Sequence, residues 1–513
     1  MNEIIKTLKL KTVFQGIFIG CLVGFLVSFY RLSLRYVGNN FTIKAYDFMK
    51  IHHTYIILGF IILLVLGYIV GLILKHDPMI GGSGIPQIEG LLKGSLVIEG
   101  PFKILVGKFV GGVLAIGAGL SLGIEGPSIQ LGSSVAHLYS NLTKKVKLEK
   151  DFLISAAAGA GLAAAFNAPF AGVMFVLEEV HKSFSPILFI SAISTCVSAD
   201  LITWIFFGGQ PILNVHSLLS LPYQYYLLLV LLGVIVGLGG VLYNKVLLKT
   251  THLYKIIKAP LEVKVMIPFA IVIIFGLFIP DVLGGGSTVI NNILTNGIIV
   301  KIAIILLVAK FILSMVSFSS GVPGGILFPL LTLGALIGAI FGDISMSTIG
   351  GDSRFIVNFI LLAMAGMFSS IVRAPITGII LVCEMSGSFT QLGPFAIVCG
   401  VAYLVADLLK CEPVYDSLLK LRIANQRKVD VKDSKEKSIV EYTVDLGAPI
   451  VGKKLSDVKL VNNAIIFTIE TEGNEIIPNE NTKISAGDTI KVLVDENSEF
   501  NLRKKLEPMC KLP

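Results

Sequence analysis

The sequence predicts an all-α polytopic membrane protein of two inverted repeats with broken helices, followed by a small α/β cytosolic C-terminal domain. Three observations predict it. Of 513 residues, 54% are hydrophobic and 15% charged, with a mean hydropathy of +0.83, too apolar for a soluble globular chain. Glycines and prolines interrupt the apolar runs at membrane depth, where irregular backbone is tolerated only if protein buries it or it lines a cavity. Three anchors also recur in order along the chain. Pro127-Ser-Ile-Gln-Leu-Gly132 matches Pro329-Leu-Leu-Thr-Leu-Gly334 at an offset of 202 residues. Ala168-Pro169-x-x-Gly172 with Glu178 matches Ala374-Pro375-x-x-Gly378 with Glu384 at 206, and Ala199-Asp200-Leu201 matches Ala406-Asp407-Leu408 at 207. Weak internal symmetry with helices broken in corresponding places marks a transporter architecture, with its site at the repeat interface near the midplane.

Taken in order, residues 13–30 and 55–74 are apolar and long enough to span a bilayer. Residues 77–90, DPMIGGSGIPQIEG, break that pattern. Apolar helices follow at 102–122, 127–139, 152–166 and 169–180, several too short to cross. Residues 186–207 and 223–242 are full length. Residues 267–278 lead to Gly284-Gly285-Gly286, and 298–316 lead to the broken SGVPGGILFP. Three more apolar helices reach about residue 409. Residues 426–437, QRKVDVKDSKEK, are polar and charged and read as a linker. The domains are therefore 1–425, a transport-type membrane domain, the linker 426–437, and 438–513, a small soluble domain. In the last, strands are predicted at 439–444, 464–470, 474–477 and 489–494, with turns at Glu472-Gly473 and Gly487-Asp488. Short helices are predicted at 455–460 and 499–506.

The formal charge of +8 includes Lys6, Lys9 and Lys11 ahead of the first apolar run, which predicts a cytoplasmic N-terminus. Both termini are expected in the cytoplasm, and the membrane is expected to be that of the cell. No nucleic-acid signature accompanies this charge. Six cysteines form no CxxC pair and read as small buried hydrophobes; seven histidines form no HExxH pattern. No metal site or cofactor is expected. No nucleophile–base pair suggests an intramembrane enzyme. The first apolar run lacks a small-residue cleavage site and reads as a retained helix. A cation pathway would need a TVGYG-like filter or carboxylate rings, and neither is present.

The candidate chemistry centres on Gly123-Ile124-Glu125-Gly126-Pro127, which sets a lone carboxylate between glycines at the start of an apolar helix. Pro127 suits the first helical position, where its missing N–H would be unpaired anyway. Unpaired N–H groups and the positive dipole end make such a terminus an anion site. Glu125 would stand where an external anion would also bind. A carboxylate inside a membrane segment is a functional candidate by default; the plainer alternative is that it caps its own helix. Glu178 and Glu179 end the helix that begins at Pro169. The repeat pairs Glu178 with Glu384, but Glu179 with Met385. Successive helical residues point roughly 100° apart, so the two carboxylates can do different work.

In this order the motifs resemble those of the CLC chloride channel and transporter family, over roughly residues 10–425. The family's GSGIP stands as Gly82-Ser83-Gly84-Ile85-Pro86, and its G-K/R-E-G-P as Gly123-Ile124-Glu125-Gly126-Pro127. Its GxFxP stands as Gly325-Ile326-Leu327-Phe328-Pro329, and its closing tyrosine as Tyr415. The resemblance implies a homodimer with one pathway per subunit. It implies that the hydroxyls of Ser83 and Tyr415 and the amides of Ile326 and Leu327 contact chloride, and that Glu125 is the gating and external proton glutamate. A glutamate at the position of Glu179 is the internal proton-transfer residue of the family's antiporters and is usually absent from its channels. The expected function is therefore exchange of chloride against protons in a lipid membrane. The alternatives are a passive voltage- or pH-gated chloride channel and a fluoride-exporting relative. Ser83 fits chloride better than the nitrate variants, which carry proline there.

Broken helices aimed at one point would bind the anion with backbone donors and no buried lysine, weakly enough for release. Three residues depart from the family pattern. Ile124 stands for a basic residue, Leu327 for a phenylalanine and Gln87 for an acidic residue. The C-terminal domain resembles the C-terminal module of RCK proteins, the TrkA-C type. The resemblance rests on Pro449-Ile-Val-Gly452-Lys-Lys-Leu455, the run through Ile477-Pro478, and Ala486-Gly487-Asp488. It implies a regulatory or dimerising role, with a small ligand left open and a stability appendage as the plainer alternative.

Overall fold

The computed structural model describes residues 2–213, 215, 218–424, 437–458, 460–461, 463–471 and 474–511. The chain forms two compact units, Met1–Ile88 with Glu99–Leu418, and Glu89–Ile98 with Leu419–Pro513. Nearly all of the expected linker, residues 426–436, lies outside the described residues, and its last residue, Lys437, begins a strand.

Among the described residues of the first unit, eight helices are long and apolar enough to cross a membrane. The first is longer than hydropathy suggests: helix Asn2–Val37 runs on through a π-helical turn, Gly38–Thr42, into helix Ile43–Ile51. The apolar run breaks at Arg31, but the helix does not. The Arg31 guanidinium donates to Ala164 O at 2.6 Å and Asn167 Oδ1 at 2.7 Å and lies over the Phe207 ring, so its charge is satisfied inside the bundle. Helix Tyr226–Ile256 likewise passes Asn244, whose Nδ2 donates to Ile371 O at 3.2 Å.

These two helices are counterparts in the repeat, Gly20, Gly24 and Tyr30 matching Gly233, Gly237 and Tyr243 at an offset of 213. Each uses its glycines to let a neighbour approach. A Cβ on Gly20 would lie 2.3 Å from Thr195 O in helix Pro186–Phe207, and one on Gly237 would lie 2.8 Å from Val405 Cβ in helix Leu392–Leu408. Lipid is as apolar as the side chains, so such close packing rather than hydrophobic burial holds membrane helices together.

The broken segments repeat the same geometry. Gly82 and Gly84 have φ of +65° and +98°, and Gly284 and Gly286 have +60° and +103°, a region open to glycine at no steric cost. Lys108 Nζ donates to Ile80 O at 2.8 Å and Gly82 O at 2.6 Å. Lys310 Nζ donates to Val282 O at 3.0 Å and Gly284 O at 2.6 Å. Every partner is displaced by 202 residues. Both lysines are buried, at 0% and 1% exposure, a feature the sequence reading did not foresee. Each ammonium is engaged by the carbonyls that the broken backbone leaves without helical partners, and so braces a loop.

The repeats are inverted. Gly123 and Gly325 form an antiparallel bridge with two N–H···O bonds of 2.8 Å. Glu178 accepts from Ile376 N and Thr377 N at the start of helix Pro375–Ser386, at 3.2 and 2.7 Å. Glu384, near the end of that helix, accepts from Phe170 N and Ala171 N at the start of helix Pro169–Phe175, at 3.1 and 2.8 Å. Each carboxylate caps its counterpart's N-terminus, so the two short helices run antiparallel.

The second unit carries β1 Lys437–Thr443, β2 Ala464–Thr471, β3 Asn474–Ile476 and β4 Thr489–Asp495, in the order β1-β4-β2-β3, all neighbours antiparallel. Alternate residues Ile490, Val492 and Val494 of β4 face the core, as a half-buried strand requires. In β2 the core residues Ile466 and Ile469 are three apart because a register shift falls between Ile466 and Thr468. Helix Glu496–Cys510 covers the sheet with Leu502 and Leu506 and is longer than the predicted 499–506. The predicted helix at 455–460 is a single 3-10 turn, Leu455–Asp457. The turn at Gly487-Asp488 is present, with Gly487 at φ +89°; the one at Glu472-Gly473 lies outside the described residues.

Candidate functional site

Helices Glu125–Leu142 and Leu327–Ile349 begin beside the Gly123–Gly325 bridge. Their first turns therefore converge, each with N–H groups that no helical carbonyl can take. The Glu125 side chain folds across this junction. Its Oε1 accepts from Leu327 N at 2.7 Å, and the residue is fully buried. Oε2 has no hydrogen-bond partner among the described residues. The flanking glycines are required by the carboxylate itself. A Cβ on Gly123 would lie 2.0 Å from Oε2, and one on Gly325 would lie 2.0 Å from Oε1. Gly126 serves the approach of the GSGIP loop, since a Cβ there would lie 2.8 Å from Ser83 Oγ. That hydroxyl is buried and has no partner among the described residues. A buried polar atom left unpaired is costly, so Ser83 presents a donor for a guest such as an anion.

Ser83, Glu125, Ile326 and Leu327 are thus gathered at one junction, although Glu125 and Leu327 are 202 residues apart. Tyr415 is fully buried in helix Val414–Ile423. The turn before it is held by Arg373 Nη2 on Cys411 O at 2.9 Å and by Asn244 Nδ2 on Glu412 O at 3.4 Å. Lys182, just beyond Glu179, pairs with Asp416, the neighbour of Tyr415, at 2.9 Å. Glu179 is 2% exposed. It sits on a π-helical turn, Val176–Val180, a feature that often marks functional sites. Glu178 turns away to cap helix Pro375–Ser386, so the neighbouring carboxylates do face different surroundings.

The three departures have local explanations. Ile124 packs with Tyr30, Leu34 and Leu131, an environment that suits an apolar side chain. Gln87 Nε2 donates to Gly81 O at 2.6 Å and Met79 O at 3.1 Å, contacts an ionised carboxylate could not make. Leu327 contributes its backbone N–H, which any residue but proline carries.

Sequence reasoning missed Lys108, Lys310, Tyr30 and Tyr243. The tyrosines are fully buried, their hydroxyls lack partners among the described residues, and both lie within electrostatic reach of Glu125. Their rings meet Phe109 and Phe311, with centroids 5.3 and 6.1 Å apart. A signal was present: Lys108-Phe109 and Lys310-Phe311 recur at the anchor offset of 202.

A family model described as voltage gated chloride channel matches residues 62–407, and one described as TrkA-C domain matches 439–506. The H(+)/Cl(-) exchange transporter ClcA of Vibrio parahaemolyticus is 32% identical over 425 residues, 80% of this chain and 89% of the relative. That of Citrobacter koseri is 34% identical over 373 residues, 71% and 78% of the two chains. Among solved structures, a slow cyanobacterial Cl-/H+ antiporter matches with a TM-score of 0.77 at 27% identity, covering 81% of this chain and 98% of that one. A CLC-type fluoride/proton antiporter, at TM-score 0.64 and 23% identity, covers 79% and 97% and shares the fold. With two inverted repeats meeting at Glu125 and a TrkA-C domain following them in the sequence, the chain is a multi-pass integral membrane protein of the voltage gated chloride channel (CLC) family.

Proposed function

We propose that the protein is a proton-coupled chloride antiporter of the cell membrane, a homodimer with one pathway per subunit and both termini in the cytoplasm. The observation that carries this reading is the bond from Leu327 N to the Glu125 carboxylate. A charged Glu125 holds an amide that an entering chloride needs. A protonated Glu125 has no charge with which to compete, and can leave with its proton. Chloride entry and proton release are then alternatives at one set of donors. Chloride is held by the Ser83 and Tyr415 hydroxyls and the Ile326 and Leu327 amides, and Glu179 passes protons on the inner side. Relatives in Vibrio parahaemolyticus and Citrobacter koseri and the cyanobacterial structure are named as exchangers of the same two ions. The test is proton uptake driven by a chloride gradient in liposomes. Reversing the gradient should reverse proton movement; chloride flux with no linked proton movement would instead indicate a channel.

Gly325→Ala tests the carrying observation. Its Cβ would lie 2.0 Å from Glu125 Oε1, well inside van der Waals contact, so the carboxylate is expected to leave Leu327. The same Cβ would lie 2.8 Å from Gly126 N, so the backbone of the junction shifts slightly as well. Coupling is expected to fall while chloride flux persists, measured as the ratio of proton to chloride movement; an unchanged ratio would show that this pose of Glu125 has no part in turnover.

Residues 438–513 are proposed as a cytosolic regulatory or dimerising domain joined by the linker 426–437 to the transport domain 1–425. Its hydrophobic core, from Val440 to Cys510, is its own, and every motif residue of the pathway precedes it. Deleting 438–513 is expected to leave chloride flux measurable in liposomes. A stable truncated protein with no flux would mean that the domain is needed to assemble the pathway.

A further inference from the structure

A cavity of about 530 Å³ lies between helix Ile43–Ile51, helix Ile56–His76 and the end of helix Pro101–Gly117. None of the proposed chloride or proton residues lines it. The π-helical turn Gly38–Thr42 contributes Phe41 and Thr42 to the lining, and Gly117 and Ala118 beside it add little side-chain bulk. The lining is almost wholly apolar. The Thr42 hydroxyl is already engaged by Gly117 O. Tyr46 also lines the cavity and is 3% exposed, and its hydroxyl has no partner among the described residues.

Size and access identify the class of guest. An apolar cavity of about 150 Å³ stays dry and accepts a benzene. By that ratio, 530 Å³ has room for on the order of twenty carbons. Phe41, Tyr55, Leu58 and Ile62 line it and are also about half exposed on membrane-crossing helices, at 59%, 48%, 51% and 51%. The cavity is therefore continuous with the surface that meets lipid, and its guest arrives from the bilayer. Lys44 and Lys50 flank Tyr46 in the sequence, on the helix that forms this wall, where cations favour a phosphate headgroup. We propose that this cavity binds one acyl chain of a membrane phospholipid. The chain would lie against Ala118, seven residues before Glu125, and pack the scaffold behind the gate.

The test uses the full-length protein in phosphatidylethanolamine–phosphatidylglycerol vesicles with a trace of phosphatidylcholine carrying a diazirine midway along one acyl chain. Irradiation, proteolysis and mass spectrometry then locate the label. Label is expected on Gly117 and Ala118, which are buried from surrounding lipid, as well as on the exposed Ile57 and Ile61. Ala45 is exposed at the lining, so Ala45→Trp fills the cavity from its open side. It is expected to cut the label on Gly117 and Ala118 about tenfold, the effect of 1.4 kcal/mol of lost binding, and to leave Ile57 and Ile61 labelled as before. That unchanged label reports a correctly inserted variant. Label confined to Ile57 and Ile61, or buried label unaltered in Ala45→Trp, overturns the proposal.

Discussion

Glu125→Gln is expected to abolish proton movement while chloride continues to flow. The amide copies the shape of a protonated carboxyl, so the junction need not rearrange. What disappears is the charge. Hydrogen bonds to an ionised acceptor are roughly twice as strong as neutral ones, so the hold on Leu327 N weakens. Repulsion of an arriving chloride disappears as well. Two like charges about 4 Å apart repel by about 4 kcal/mol at an effective dielectric near 20. That corresponds to roughly a thousandfold in occupancy, enough to decide which anion holds the amides. Paired chloride and proton fluxes in liposomes check it. Proton pumping at the original ratio in Glu125→Gln would remove Glu125 from the coupling mechanism.

Glu179→Gln is expected to stop proton movement and let chloride pass, whereas Glu178→Gln is expected to act on stability. The carboxylates adjoin in sequence but not in role. Glu178 accepts from Ile376 N, Thr377 N and the Thr377 hydroxyl, the last two at 2.7 Å. Those bonds hold the side chain in one pose, which suits a cap and not a carrier. Losing their ionic part is expected to cost about 1–3 kcal/mol, read as a lower unfolding temperature of the detergent-solubilised protein. Glu179 is buried on the π-helical turn, and its repeat partner Met385 is fully buried and apolar, so no symmetric structural duty explains a carboxylate there. If Glu179→Gln still pumps protons at the normal ratio, the antiporter reading loses its internal proton residue and the channel reading gains. If Glu178→Gln alone loses coupling, the two roles have been exchanged.

Some elements were readable with little error. The strands of the small domain were placed to within about two residues, because period-two alternation and Gly487-Asp488 punctuate them. The membrane helices were placed, but their ends were not. Residues 13–30 and 223–242 stopped short at Arg31 and near Asn244, because hydropathy reads a polar residue as an edge, and only the partners Ala164 O and Ile371 O make it an interior one. The buried lysines were missed for the same reason: an ammonium is acceptable in a bilayer when two carbonyls meet it, and those carbonyls lie 26 or 28 residues away.

By itself the sequence determined the membrane class, the division into two related halves and the family to which the motif around Glu125 belongs. Composition, spacing and internal repetition are properties of the chain taken locally or against itself. Only the tertiary structure decided which donors those motifs meet. Glu125 takes the amide of Leu327, Glu178 caps the helix of Thr377, and Glu384 returns the cap to Ala171, each across roughly two hundred residues. Such pairings follow from the antiparallel docking of one repeat on the other, which places the end of one short helix at the start of its counterpart. That docking depends on how the whole bundle packs, so no window along the chain contains it.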